Sequence, residues 1–389
     1  MKANLFIKYL ILSIIISSSL FSCNNDEPSD TEHVCNRTIL VYMVATNSLG
    51  AKNEDTKDIN EMIEASINNT FNNGRLLIFH SSYNGKPALK EIKNGKIQII
   101  KEYDQSLLSV DQERMQQVIN DTKALAPAKE YGLILWSHAN GWLQTGINSS
   151  KNIPQKKEPL AFGEEYNKNM NITTLANVIN DENFSFIYFD CCNMASIEVV
   201  YEIRHSTPYI IASTTEVPGD GMPYEQNIPL FFSNPIKLQD ACINTFNYYN
   251  CQEGQMRTCS ISLIQTKYLD ELAQATISIY CNYNTLPDDF NPQKFVLDNT
   301  CYFFDFKQYI KELTPSYDNR LNTWLNVIDK VVIYKAATPK LWDKLDLAHH
   351  CGLSTFILDD ITKSTTKGYN QLQWYNDVAS KLFNNNKNK

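Results

Sequence analysis

The chain is poor in positive charge. Across 389 residues, 35 lysines and arginines face 43 aspartates and glutamates, a net charge of −8, and no dense basic run offsets it. Nucleic-acid binding needs a basic face, so no nucleic-acid partner is expected. The ten cysteines include no C-x-x-C pair, and no histidine–cysteine group has zinc-site spacing. No metal site is therefore expected. There is no internal repeat, and no low-complexity tract beyond a polar N-terminal stretch and an Asn/Lys tail at 384–389. The N-terminal apolar run, YLILSIIISSSLF, has thirteen residues and is too short to span a bilayer comfortably.

That run follows MKANLFIK, with its two lysines, and has the form of a signal-peptide core. It ends in LFSC, residues 20–23, which resembles a bacterial lipobox with Cys23 as the residue that receives lipid. Residues 1–22 are thus expected to be removed, and 23–36 to form a flexible acidic tether. The expected location is the bacterial cell envelope, with membrane attachment through the N-terminal lipid. An ordinary cleaved signal with an incidental cysteine is the alternative. The remaining chain has ample core material, at 43% hydrophobic and 11% aromatic. An exported protein can form disulfides, but the scattered Cys35, Cys242, Cys251, Cys259, Cys281, Cys301 and Cys351 have no assignable partners and read mainly as small buried hydrophobes.

From residue 38 the pattern alternates. Apolar strands are expected at 38–45, 75–82, 131–138, 184–190 and 209–214, and helices at 55–68, 109–125, 171–181 and 194–205. A hairpin turning on Asn94-Gly95 interrupts them. Such alternation implies an α/β fold with a mostly parallel sheet and helices on both faces. Residues 37–226 then form the core. Residues 227–389 pack against it as a second half, with helices at 240–249, 266–283, 299–313 and 369–383 and strands at 257–265 and 352–360.

Ligands of such sheets sit beyond the carboxyl ends of the strands. Three strands end there in polar chemistry: ILWSHANGW, IYFDCCNM and IASTTEVPGDG. Adjacent cysteines rarely bond each other, and strand alternation sends Cys191 and Cys192 to opposite faces. Cys191 is then a buried thiol. Cys192 shares a face with Asp190 and stands at the entry to the next helix, whose N-terminus favours a thiolate. A cysteine nucleophile needs a base near it in space. Of His33, His80, His138, His205, His349 and His350, only His138 ends a strand on that edge. Asp190 beside a thiolate opposes ionisation, which makes sense if a substrate lysine or arginine supplies the compensating charge. Asp220, flanked by glycines, is placed to assist from the next loop.

Together ILVYMVATNSLG, LILWSHANGW, FIYFDCCNMASIEVVYEIR and IIASTTEVPGDGMPY resemble clostripain-family cysteine peptidases, of the caspase, gingipain and legumain clan. GLSTFILDD extends the likeness to most of the mature chain. The resemblance implies a caspase-like three-layer sandwich with a C-terminal extension, and an endopeptidase acting after Arg or Lys. His138 maps to the catalytic histidine, Cys192 to the nucleophile and Asp190 to the selecting acid. Backbone N–H groups of Ala139 and Cys192 map to the oxyanion hole. The family usually has glycine where Ala139 stands, and alanine where Cys191 stands. Self-processing occurs in some members, and the polar loop after His138 offers Lys151, Lys156 and Lys157. Calcium dependence also occurs, but no EF-hand-like loop is present, and no cofactor is expected. A catalytically impaired surface protein that binds peptides or glycans, and a clan member cutting after Asn or Asp, remain as alternatives.

Overall fold

The computed structural model describes residues 34–67, 70–143, 161–283, 285–297, 303–357 and 368–384. The signal segment, Cys23, Cys301 and the lysines at 151, 156 and 157 lie outside the described residues. The first half runs β1 (Cys35–Val44), α1 (Ser48–Ala51), α2 (Glu54–Ala65), β2 (Arg75–Ser81), β3 (Ala88–Lys93), β4 (Lys96–Glu102), α3 (Gln112–Leu125) and β5 (Ala128–Trp136). A small hairpin follows, β6 (Phe162–Glu165) and β7 (Lys168–Met170), then α4 (Ile172–Ile179), β8 (Phe186–Asp190), α5 (Ile197–Glu202), β9 (Tyr209–Ala212) and α6 (Tyr224–Phe231). The rest comprises α7 (Leu238–Asn250), β10 (Ser260–Gln265), α8 (Leu269–Tyr280), β11 (Phe304–Asp305), α9 (Phe306–Leu313), α10 (Asn319–Val331) and β12 (Val332–Ala337).

One nine-stranded sheet takes the order β12-β10-β9-β8-β5-β1-β2-β3-β4. Its five middle strands are parallel, and the two strands at each end are joined on by antiparallel pairing. The middle strands are apolar on both faces because both faces are covered. Along β1, Leu40, Tyr42 and Val44 join a core cluster with α3, α4, α5, α8 and α10, whereas Ile39, Val41 and Met43 join one with α2, α6 and α7. The fold is therefore mixed α/β with a large, mostly parallel sheet between helical layers. The expected hairpin turn is present, with φ of 52° at Asn94 and 70° at Gly95, as a type I′ turn requires.

The sheet does not stop at residue 226: β9 pairs with β10, and β10 with β12. Other expected elements differ. Of the strand anticipated at 352–360, residues 358–360 lie outside the described residues, and the described part holds only Ser354–Thr355, which pairs with β11 and not with the central sheet. The helix anticipated at 369–383 is broken into a 3₁₀ turn at Tyr369–Gln371, a π turn at Tyr375–Ala379 and a last turn from Lys381. Tertiary anchors override its helical spacing: Gln373 N donates to Glu202 Oε2 at 2.8 Å, and Trp374 packs edge-on against Tyr201 and Phe306.

Candidate active site

β5 and β8 lie side by side in parallel, and their last paired residues are Trp136 and Asp190. His138 and Cys192 each follow two residues later. They therefore leave adjacent strands at the same level, and the loops that carry them are tied together, since Asn193 Nδ2 donates to Asn140 Oδ1 at 2.9 Å.

Alternation assigns the faces around the two cysteines. Ile187, Phe189 and Cys191 belong to one core cluster, Phe186 and Tyr188 to the other. Cys191 is buried and donates to the Leu135 carbonyl at 3.0 Å, and burial pushes its thiol well above the ordinary range. The expectation of a helix N-terminus at Cys192 is corrected. β8 ends at Asp190, Asn193 turns the chain through a φ of 59°, and α5 starts only at Ile197, where the Ser196 hydroxyl accepts from Val199 N at 3.3 Å. A helix field fades within its first turn, so it does not ionise this thiol. Instead the partly buried Cys192 Sγ accepts from the Val217 N–H at 3.3 Å. Burial pushes the thiol up to about 12; the Val217 N–H works against this, and nearby Glu216 and Asp190 add to it. The thiol is uncharged at neutral pH.

His138 is partly buried, and its Nε2 stands 2.7 Å from the Ser48 hydroxyl. Burial, then the positive charge of Lys52, holds its pKa below the usual histidine value. At neutral pH it is a neutral imidazole able to take a proton. Ala139 is bridged to Phe162 through its neighbours: Gly163 N donates to the His138 carbonyl at 3.0 Å and Asn140 N to that of Ala161 at 3.2 Å. The Ala139 N–H takes no part in that bridge. Its side chain is 4% exposed within an apolar cluster, and it is not among the positive-φ residues. Alanine thus fits this backbone without strain.

Asp190 is 6% exposed; its Oδ2 accepts from the Tyr224 hydroxyl at 2.9 Å and from Met222 N at 3.2 Å. Burial raises its carboxyl to about 6, against those two hydrogen bonds, and Glu61 adds to the rise. A cavity beside it is lined by Ser213, Val217, Gly221, Met222 and Tyr249. Asp220, on the same loop, is half-exposed and lies 3.8 Å from Lys57 on α2. Gly221, with a φ of 62°, is the residue that meets the acid. A Cβ there would stand 2.6 Å from Asp190 Oδ2 and 3.2 Å from Asp58 Oδ2. Asp58 on α2 is 1% exposed and accepts from the Trp136 indole at 2.6 Å; burial, then Asp190, raises its carboxyl. Among the described residues no group of three or more His, Cys, Asp or Glu side chains is placed to hold a metal ion.

The family model for peptidase family C11, the clostripain family, matches residues 41–387. The chain belongs to the clostripain family. It is accordingly a cysteine peptidase, and solved clostripain-family structures share its fold. An inactive zymogen C11 protease from Parabacteroides distasonis is 28% identical with a TM-score of 0.76, covering 89% of this chain and 98% of its own. A secreted C11 cysteine protease from Bacteroides thetaiotaomicron, in complex with an irreversible peptide inhibitor, is 27% identical with a TM-score of 0.75, covering 88% and 99%. A clostripain from Bacteroides thetaiotaomicron, in complex with the peptide inhibitor BTN-VLTK-AOMK, is 25% identical with a TM-score of 0.50, covering 56% and 97%. No curated protein matches the chain.

Three side chains of this clostripain site went unread in the sequence. Ser48 lay inside ATNSLG without a role. Asp58 lay in a helix read only for its apolar spacing, although Asp55 and Asp58 share the buried face with Ile59 and Met62. Tyr224 followed the PGDGMP loop as a plain aromatic. The acidic i, i+3 pair on an otherwise apolar face was the one available signal.

Proposed function

We propose that this clostripain-family peptidase cleaves proteins and peptides after arginine or lysine, with Cys192 as nucleophile and His138 as base and then acid. The observation that carries the specificity is Asp190: a buried carboxylate at the end of β8, two residues before the nucleophile, in the wall of a cavity, with Asp58 behind Gly221. Among the described residues no cation pairs with these two neighbouring buried acids, and a guanidinium or ammonium entering the cavity supplies one. The clostripain inhibited by a VLTK peptide points to lysine in the same pocket.

Substrate must draw Cys192 from Val217. His138 takes the thiol proton as the Cys192 sulfur attacks the scissile carbonyl carbon, and the carbonyl oxygen becomes an oxyanion near the Ala139 and Cys192 N–H groups. Collapse breaks the C–N bond, and His138 returns its proton to the leaving amine. Water then hydrolyses the thioester, with His138 again as base. Fluorogenic peptides ending in Arg, Lys, Asn, Asp or norleucine test this. Turnover confined to Arg and Lys, lost in Cys192→Ala, is the expected result; preference for Asn or Asp, or no turnover and no Cys192 labelling by an arginyl chloromethylketone, sinks it. The proposal extends to self-processing at Lys151, Lys156 or Lys157 and to lipidation of Cys23 after removal of residues 1–22. Intact-mass analysis of membrane-extracted protein reads both.

A further inference from the structure

The His138 imidazole is not left alone: the Ser48 hydroxyl stands 2.7 Å from its Nε2. We propose that Ser48 is a positioning residue for His138: its hydroxyl accepts the Nε2 proton, fixing the tautomer that leaves the Nδ1 lone pair free to act as the base. The proposal rests on the reading of His138 as the base.

The geometry around Ser48 is built rather than incidental. Asn47 caps α1, its Oδ1 accepting from Leu49 N at 3.0 Å. The same side chain donates through Nδ2 to the Val44 carbonyl at 2.9 Å, the Ser137 hydroxyl at 3.2 Å and the Glu164 carbonyl at 3.0 Å. Ser137 in turn donates to the Val44 carbonyl at 2.8 Å. One amide therefore joins the end of β1, the residue before His138, and β6. The next residue is Ser48, which is thus held at a fixed distance from the ring that follows Ser137. Gly50 completes the arrangement, because a Cβ there would stand 1.8 Å from the Ala45 carbonyl oxygen. Only glycine lets α1 lie so close to the strand end.

A neutral imidazole has one proton and two nitrogens, and only the unprotonated nitrogen can act as base. A hydroxyl acceptor at Nε2 holds the proton there and strengthens as the ring becomes charged. It therefore favours the imidazolium formed during attack. Among the described residues, Lys52 at the C-cap of α1, Glu164 on β6, Glu216 in the 213–222 loop and Cys192 itself are titratable groups on the surrounding elements; Lys52 opposes the imidazolium.

The test uses the full-length protein with Ser48→Ala and Ser48→Thr, beside His138→Ala, on an arginyl fluorogenic peptide across pH 5–9. With Ser48→Ala, kcat is expected to fall roughly 10- to 100-fold while KM stays within about 3-fold. The acid limb of the kcat/KM profile is expected to move to lower pH, since a group that stabilised the imidazolium is gone. Ser48→Thr, which keeps the hydroxyl, is expected to restore most of the rate. An unmoved acid limb with unchanged kcat overturns the proposal. So does equal loss in alanine and threonine variants, the signature of a packing role. If Ser48→Ala does not fold, the proton position is read by ¹⁵N-histidine NMR on the Cys192→Ala protein, where the neutral ring is expected as the Nε2–H tautomer and a majority Nδ1–H form overturns the proposal. Full activity of His138→Ala would remove the base reading itself, whereas a dead His138→Ala with an unaffected Ser48→Ala removes only the role of Ser48.

Discussion

Asp190 carries two consequences in one carboxyl. Its pKa, raised by burial to about 6, means that it is fully charged only above that value. Recognition of a basic P1 residue should therefore strengthen as pH rises through about 6, and KM for arginyl peptides should fall across pH 5–7 while KM for a norleucine peptide stays flat. Parallel KM curves would sink the pairing. Asp190→Asn keeps the shape and the Tyr224 contact but removes the charge. Truncating one side of a buried charge pair costs about 2–5 kcal/mol, so selectivity for Arg over norleucine should drop roughly 30-fold or more, read as a ratio of kcat/KM values. At this scale the sequence was legible where a strand dictated direction. Alternation separated Cys191 from Asp190 because β8 runs regularly to its last residue. It said nothing of Ser48 or Tyr224, whose roles come from approach across the fold.

Helix α5 starts later than the sequence placed it. Its cap is Ser196, and Ser196→Ala should cost about 1 kcal/mol, measurable by urea denaturation. The same helix buries Glu198, whose Oε1 accepts from Phe356 N at 2.8 Å and from the Thr355 hydroxyl at 3.1 Å, while Oε2 has no partner among the described residues. Burial raises this carboxyl from 4.5 to about 7. The folded protein thus holds a proton that the unfolded chain releases, so the contribution to stability is present below about pH 4.5 and lost as pH rises through about 7. Glu198→Gln does not titrate. The stability of the wild type relative to this variant should fall between those limits, and parallel Tm–pH curves would refute the assignment. Long periodic elements in the first half were readable because both core faces enforce them. The 369–383 segment was not, because its backbone obeys Glu202, Tyr201 and Phe306 rather than its own spacing. β12 was missed because it is a half-exposed outer strand with little apolar contrast.

For the molecule as a whole, the parallel middle of the sheet was legible from alternation alone; the strand expected at 257–265 is present as β10, but its antiparallel pairing into the central sheet, and β12 beyond it, were not legible. The self-processing proposal belongs at this scale. Cys192→Ala protein should stay a single band on a denaturing gel where wild type gives two; two bands from both would exclude self-cleavage.

β5 and β8 stand on opposite sides of residues 144–160 in sequence, yet they are neighbours in the sheet, in register from Gly132–Phe186 to Trp136–Asp190. A cut in that interval would therefore change the molecularity of folding. The uncut chain regains its structure as a single molecule, at a rate independent of dilution. A cut one must bring two chains together, so its refolding half-time would lengthen on dilution, and its stability would depend on protein concentration as a dimer's does.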